Sequence, residues 1–188
     1  KDEPYNIEVL RQERSRIAKS LRNAGYYYFT DDNLIFKIDS NRIEKNISLF
    51  VALKENIPSR DLKKYRINNI KVYPDYDISA EDPGYDTTIV DSIIFYSNAD
   101  RIDRDVINRS IMLREGDYFS TNAYSATLNK LMGLGLFKYA NITFNRDTTN
   151  ITDTANFLNT NIYLTQVIHV SLRAEIQAVT KSNNYSGP

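Results

Sequence analysis

Residues 131–139, Leu-Met-Gly-Leu-Gly-Leu-Phe-Lys-Tyr, decide how this chain is read, because residues 21–29, Leu-Arg-Asn-Ala-Gly-Tyr-Tyr-Tyr-Phe, carry the same pattern. Aligning Leu131 with Leu21 puts Gly135 on Gly25 and Phe137 on Tyr27. In each copy a helical pattern runs into a glycine, then an aromatic, then alternating residues. A glycine at that place takes the left-handed conformation that closes a helix, and alternation marks a strand. The repeated unit is helix, glycine, strand, strand. Such repeats build modular arrays, which usually bind rather than catalyse.

Upstream of the first glycine, residues 5–24 predict one amphipathic helix, with Ile7, Leu10, Ile17 and Leu21 on one stripe and Arg11, Glu13, Arg14 and Lys19 mostly solvated. Downstream, Leu34, Phe36 and Ile38 alternate with Ile35, Lys37 and Asp39, and residues 47–54 repeat the alternation. Joined through 40–46, they predict a hairpin whose inner face covers the helix.

Around the second copy, a strand is expected from Tyr65 to Tyr73, a long surface loop over 74–90, and a strand over 91–96. A helix follows over 103–111. After the tight connection 113–120, a second helix is capped by Ser120, Thr121 or Asn122 and ends at Gly133–Gly135. Strands 137–145 and 158–165 close the unit. The second unit is thus strand–helix–helix–strand–strand, an α+β module, and the first holds its last three elements. The expected division is a partial module at 1–56, a complete one at 57–167, and a separate segment at 168–188. Because the chain opens on Lys1 within a charged stretch, it reads as a piece whose first unit lacks a strand and a helix.

Composition narrows the function classes. Lysine plus arginine equals aspartate plus glutamate, at 24 each, so no net field draws nucleic acid or an anionic membrane. Cysteine is absent, which rules out disulfides, thiolate metal sites and a cysteine nucleophile. No apolar run approaches the roughly 20 residues of a membrane helix. Residues 168–178, however, alternate Ile168, Val170, Leu172, Ala174 and Ile176 with His169, Ser171, Arg173, Glu175 and Gln177. That pattern suits a membrane-barrel strand, as it suits any half-exposed strand.

These elements, with Ile111-x-Leu113-x-x-Gly116-x-x-Phe119-Ser120 between the helices and Leu131-x-x-Leu134-Gly135-Leu136-Phe137 into the hairpin, resemble the POTRA domain. Thr180-x-Ser182-Asn183-Asn184-Tyr185-x-Gly187 looks like the first barrel strand and turn of the same family, the outer-membrane barrel-assembly and translocation proteins of BamA and TamA type. The stretch Glu13-Arg14-x-x-Ile17-x-x-x-Leu21-Arg22-Asn23-x-Gly25-Tyr26-Tyr27-x-Phe29 looks most like the Bacteroidetes-type surface-antigen branch. The resemblance implies tandem POTRA-like modules, each a three-stranded mixed sheet with two helices on one face, at the periplasmic face of the bacterial outer membrane, before a barrel that is missing here. It implies as partners unfolded outer-membrane proteins and periplasmic or lipoprotein assembly factors, or an inner-membrane-linked partner.

Catalytic chemistry finds no foothold. His169 is the sole histidine, so a serine triad would have to use it, yet it sits in an alternating strand and no Gly-x-Ser-x-Gly elbow occurs; it reads as a structural histidine. There is no P-loop, and Gly133-Leu-Gly135 precedes a strand instead of opening a helix. Asp75, Asp77, Glu81, Asp82 and Asp86 lack EF-hand spacing and read as a solvated acidic loop. Asp31-Asp32 reads as a turn and cap, and Tyr26-Tyr27-Tyr28 as core aromatics before a binding patch. No catalytic residue, cofactor or metal is expected.

The function expected is a binding scaffold. A sheet covered on one face leaves edge strands whose free backbone groups can pair with an extended client. By the family's strand order the edges are 137–145, with Tyr139, Asn141 and Thr143 facing outward, and 34–39, with Ile35 and Lys37. The rival is a carbohydrate- or calcium-binding surface domain using the 74–90 loop with Tyr76 and Tyr85.

Overall fold

The computed structural model describes residues 6–41, 46–77, 84–98, 102–147 and 156–167. The first helix, α1, covers Ile7–Asn23, and the Asn6 side chain caps it by accepting from the Glu8 amide at 2.9 Å. Gly25 follows its end at φ +106°, a conformation open to glycine and strained for other residues. A 3-10 turn at Asp31–Asn33 then leads into β1. Arg14 reaches this turn from α1 and donates from Nε and Nη2 to the Asp31 carbonyl at 3.0 and 2.6 Å. Expected among the solvated residues, Arg14 is instead the tether between helix and turn.

Strands β1 (Leu34–Asn41) and β2 (Asn46–Leu53) form a two-stranded antiparallel sheet, pairing Leu34 with Leu53, Phe36 with Val51 and Ile38 with Leu49. Paired residues share a face, so this face is apolar from Leu34 to Ile38 and from Leu49 to Leu53. It does not cover α1 as expected. Leu34 is buried, but Ile38, Leu49, Val51 and Leu53 are 55%, 43%, 47% and 49% exposed. The physical reason lies in residues 26–33. In the second unit a strand starts at Phe137, two residues beyond its glycine, whereas β1 starts only at Leu34, after Tyr26 and Phe29 have packed on α1 and Tyr27 and Tyr28 have turned into the second unit. The first unit keeps only a small core of Ala18, Phe29 and Leu34, with Ile17, Leu21 and Tyr26 at its margin.

The second unit is built on β3 (Tyr65–Tyr73), β4 (Asp86–Val90), β5 (Ile93–Ser97), α2 (Arg104–Ser110), α3 (Thr121–Gly133), β6 (Phe137–Arg146) and β7 (Asn156–Gln166). Its five strands are ordered β4-β5-β3-β7-β6. Strand β3 lies parallel to both β5 and β7, while β4 with β5 and β6 with β7 are antiparallel hairpins. The expected three-stranded unit is present as β3-β7-β6, extended on the far side of β3 by β5 and β4.

That extension corrects the 74–90 loop. Thr87-Thr88-Ile89-Val90 is a β-branched run inside β4, and it pairs back on β5 through Asp91 and Ser92, both at positive φ (46° and 68°). Two consecutive positive φ values match a turn whose twist suits a two-residue hairpin. The strand expected over 91–96 therefore begins only at Ile93.

Alternation along β3, β5 and β7 turns Tyr65, Ile67, Ile70, Val72, Ile93, Phe95, Leu158, Ile162 and Leu164 towards the helices, where they meet Ile107, Ile111, Phe119 and Leu131 in one core. Burying each such side chain stabilises the fold by about 1.5–3 kcal/mol. Thr127 of α3 lies in this core, donating to the Ala123 carbonyl at 2.8 Å and accepting from the Met112 amide at 2.9 Å. Ser120 caps α3 by accepting from the Ala123 amide, and Gly135, at φ +68°, closes it as read from sequence.

The units share a core. Tyr27 and Tyr28 leave the first unit and pack on the second unit's cluster, Tyr27 edge-on to Phe119 at 4.8 Å and Tyr28 edge-on to Tyr65 at 5.1 Å. Asn23 accepts from the Asn122 amide at 2.9 Å, and the Gly25 carbonyl accepts from the Tyr65 amide at 2.9 Å. The tyrosine triplet is core and joint, not a surface patch.

Candidate partner-binding edges

Strand β6 is one edge of the five-stranded sheet and β4 the other. Among the described residues no strand pairs with the outer side of β6, so half its backbone donors and acceptors face away from the sheet. Register fixes its side chains: Tyr139 lies beside Thr165, Asn141 beside Tyr163 and Thr143 beside Asn161. All three sequence-chosen residues therefore share the face opposite the helices, since the alternate residues Ala140, Ile142 and Phe144 turn inward. Tyr139 is 63% exposed.

Ile35 and Lys37 sit in the other sheet, paired with Ala52 and Phe50. They share one face of the hairpin, opposite the apolar face of Phe36, Ile38, Leu49 and Val51. The two candidate groups thus belong to separate sheets and do not form one site. With two strands, both β1 and β2 are edges.

Sequence reading missed the face of the sheet that no helix covers. Tyr73 of β3 stacks on Tyr96 of β5 and on Tyr163 of β7, each at 5.0 Å, with ring planes within 13° and 16°. Tyr85 packs edge-on against Tyr73, and Tyr76 leans on Tyr163 at 4.7 Å. The signal was available, as a tyrosine at an outward-facing position on each of three adjacent strands. Burial pushes the phenols of Tyr73 and Tyr163 above their ordinary range, and neighbouring tyrosines add to the effect. Burial, then the Asp75 carboxylate, does the same to Tyr85.

Two cavities border these elements. One, about 530 Å³, opens over β6 and β7 and is lined by Tyr76, Asp77, Tyr139, Asn141, Tyr163 and Thr165. The other, about 340 Å³, lies at the joint between units, beside Lys19, Arg22, Thr30 and Thr121. There Arg22 Nε and Thr121 Oγ1 are buried without a hydrogen-bond partner.

Among the described residues no three histidines, cysteines or carboxylates gather to hold a metal. Asp75 accepts instead from the Ser97 hydroxyl and the Asn98 amide, closing the end of β5. Asp86 lies on β4, while Glu81 and Asp82 fall outside the described residues, as do His169 and all of 168–188. Among the described residues no helix is long and apolar enough to cross a membrane.

No family model and no curated protein matches the sequence. Solved structures do. BamA of Haemophilus ducreyi lacking POTRA domains 1–3 superposes with a TM-score of 0.52 at 14% identity, over 89% of this chain and 24% of that one. POTRA domains 3–5 of Haemophilus influenzae BamA give 0.50 at 8% identity, over 88% of this chain and 50% of that one. The chain thus spans half of one relative's length and about a quarter of the other's. At such identity the likeness establishes the fold, and what it establishes is that this chain folds as POTRA domains do.

Proposed function

We propose that this chain is part of the periplasmic scaffold of an outer-membrane protein assembly or translocation factor, non-enzymatic, receiving unfolded outer-membrane clients or partner proteins by strand addition. The observation that carries the reading is β6, a ten-residue edge from Phe137 to Arg146 that no described strand pairs on its outer side, twice the length of the five-residue edge β4. Main-chain hydrogen bonds to an added strand give affinity with little sequence demand, which suits many clients. Tyr139, Asn141 and Thr143 flank such a strand on β6, and Ile35 and Lys37 flank one on β1. Periplasmic or lipoprotein assembly partners are the alternative occupants of the β1 edge.

The domain reading follows the same logic. Helix α1 with β1 and β2 corresponds to α3 with β6 and β7. In the second unit β3 pairs with β7 and α2 covers the core beside α3. We infer that a strand and helix preceding Lys1 complete the first unit over Ile38, Leu49, Val51 and Leu53, and that 168–188 enters a membrane barrel at the outer membrane.

Titration with extended peptides of alternating apolar and polar residues, followed by backbone amide NMR, tests the first claim. Saturable shifts confined to 137–146 or 34–41 support it. Absence of shifts at either edge at millimolar peptide removes strand addition and leaves a spacer that docks folded proteins.

A further inference from the structure

We propose that the cleft over β6 and β7 is a saccharide-binding site, taking the flat apolar face of an uncharged pyranoside against Tyr139 and Tyr163. The tyrosine ladder by itself calls for no ligand, because aromatic cross-strand pairs stabilise sheets. The ladder ends at Tyr163, against which Tyr76 leans at 4.7 Å, and the outward tyrosine of β6 joins no such ring cluster. Tyr139, 63% exposed, makes no ring–ring contact among the described residues. Between it and Tyr163 the surface falls into the 530 Å³ cleft, within the roughly 300–1,000 Å³ range of small-ligand sites.

The lining combines what a sugar requires. A pyranose presents polarised C–H groups on one face, which suit the negative face of a phenol ring. Its vicinal hydroxyls suit the Asp77 carboxylate as acceptor, the Asn141 carboxamide as donor and acceptor, and the Thr165 hydroxyl, which accepts while its own proton goes to the Tyr76 carbonyl. Among the described residues neither lysine nor arginine lines the cleft and a carboxylate does, which disfavours acidic sugars and phosphates. Lys138 Nζ lies 5.3 Å from the Tyr139 ring centroid, so the sugar takes the ring face that the ammonium leaves open.

The site is also held in place before any ligand arrives. Tyr76 is fixed by its amide, which donates to the Leu164 carbonyl at 3.0 Å, and by its carbonyl, which accepts from Thr165 Oγ1 at 3.3 Å. Gln166 Nε2 donates to the Pro74 carbonyl at 3.3 Å, pinning the same segment alongside β7. Preorganised aromatic walls bind with little ordering cost. This proposal does not depend on strand addition at β6, since a sugar lies on the sheet's face and an added strand lies in its plane.

The test is amide NMR and tyrosine fluorescence of the full chain, which has no tryptophan to mask the signal, with cellobiose, N,N′-diacetylchitobiose, galacturonic acid and an aromatic hexapeptide as probes. Saturable shifts at Tyr139, Asn141, Tyr163 and Thr165 with either disaccharide are expected, weakened about tenfold in Tyr139→Ala while thermal unfolding stays unchanged. Preference for chitobiose assigns the site to amino-sugar polymers, and preference for cellobiose to unsubstituted glucans. Failure of both disaccharides to bind overturns the proposal. So does binding that Tyr139→Ala leaves intact, equal binding of galacturonic acid, or binding of the hexapeptide alone.

Discussion

The amide of Tyr65, the first residue of β3, donates to the carbonyl of Gly25 at 2.9 Å, joining the start of one unit's sheet to the residue that closes the other unit's helix. Gly25 is at φ +106°, and a Cβ built there lies 3.1 Å from Tyr118 Cδ1. Gly25→Ala therefore meets both backbone strain and a crowded neighbour, costing about 2–3 kcal/mol and lowering Tm by about 4–12 °C. Gly135→Ala is the control. Its φ is +68° with no atom within 4 Å of the added carbon, so about 1 kcal/mol is expected. Thermal unfolding of the two variants checks the difference, and equal losses contradict it.

Tyr27 is half-buried where the units meet, with Tyr28, Phe119 and Phe144 around it at 4.7, 4.8 and 5.6 Å. Tyr27→Ala should cost about 2–4 kcal/mol and split one unfolding transition into two, because it removes the first unit's anchor. Tyr27→Phe keeps the ring and should stay within about 1 kcal/mol. Limited proteolysis between 54 and 65 reads the loss of coupling directly.

Thr127→Val preserves shape but removes the hydroxyl that accepts from the Met112 amide. The stranded amide, in a site where Thr127 has no solvent exposure, should cost about 1–3 kcal/mol in urea unfolding. A neutral outcome means that another acceptor reaches Met112.

Tyr27, Tyr65, Tyr73, Tyr85 and Tyr163 all have phenols raised above 10.0, chiefly by burial. In the unfolded chain these phenols release their protons nearer pH 10, while the folded chain holds them longer. Their contribution to stability is therefore complete below pH 10 and is lost as pH rises through the folded values. Ultraviolet titration should resolve a late-ionising class that merges with the rest in denaturant.

Helix boundaries were largely legible because their signals are local: Ser120 at the start of α3, Gly135 past its end, Asp103 before α2. The edge position of β6 and the outward residues Tyr139, Asn141 and Thr143 followed from alternation together with the family's strand order. What escaped was non-local. Nothing near Thr87 says that its strand pairs on β5 beside β3, and the prolines and acids of 74–86 mask the β-branched run that follows. Arg14 looked solvated by helical phase, yet its partner is a carbonyl at Asp31. The tyrosine ladder required knowing that β5, β3 and β7 are neighbours, which parallel pairing across long crossovers hides from any single segment.

The rings of Tyr27 and Tyr28 also decide how a load passes along the chain. A joint formed by a flexible linker would let each unit swivel and dissipate a pull. Here the aromatic pair is wedged into the next unit's interior, and its backbone is bonded to the head of β3. A pull on α1 therefore meets the centre of the five-stranded sheet directly, through two rings and the bond from Tyr65 to Gly25.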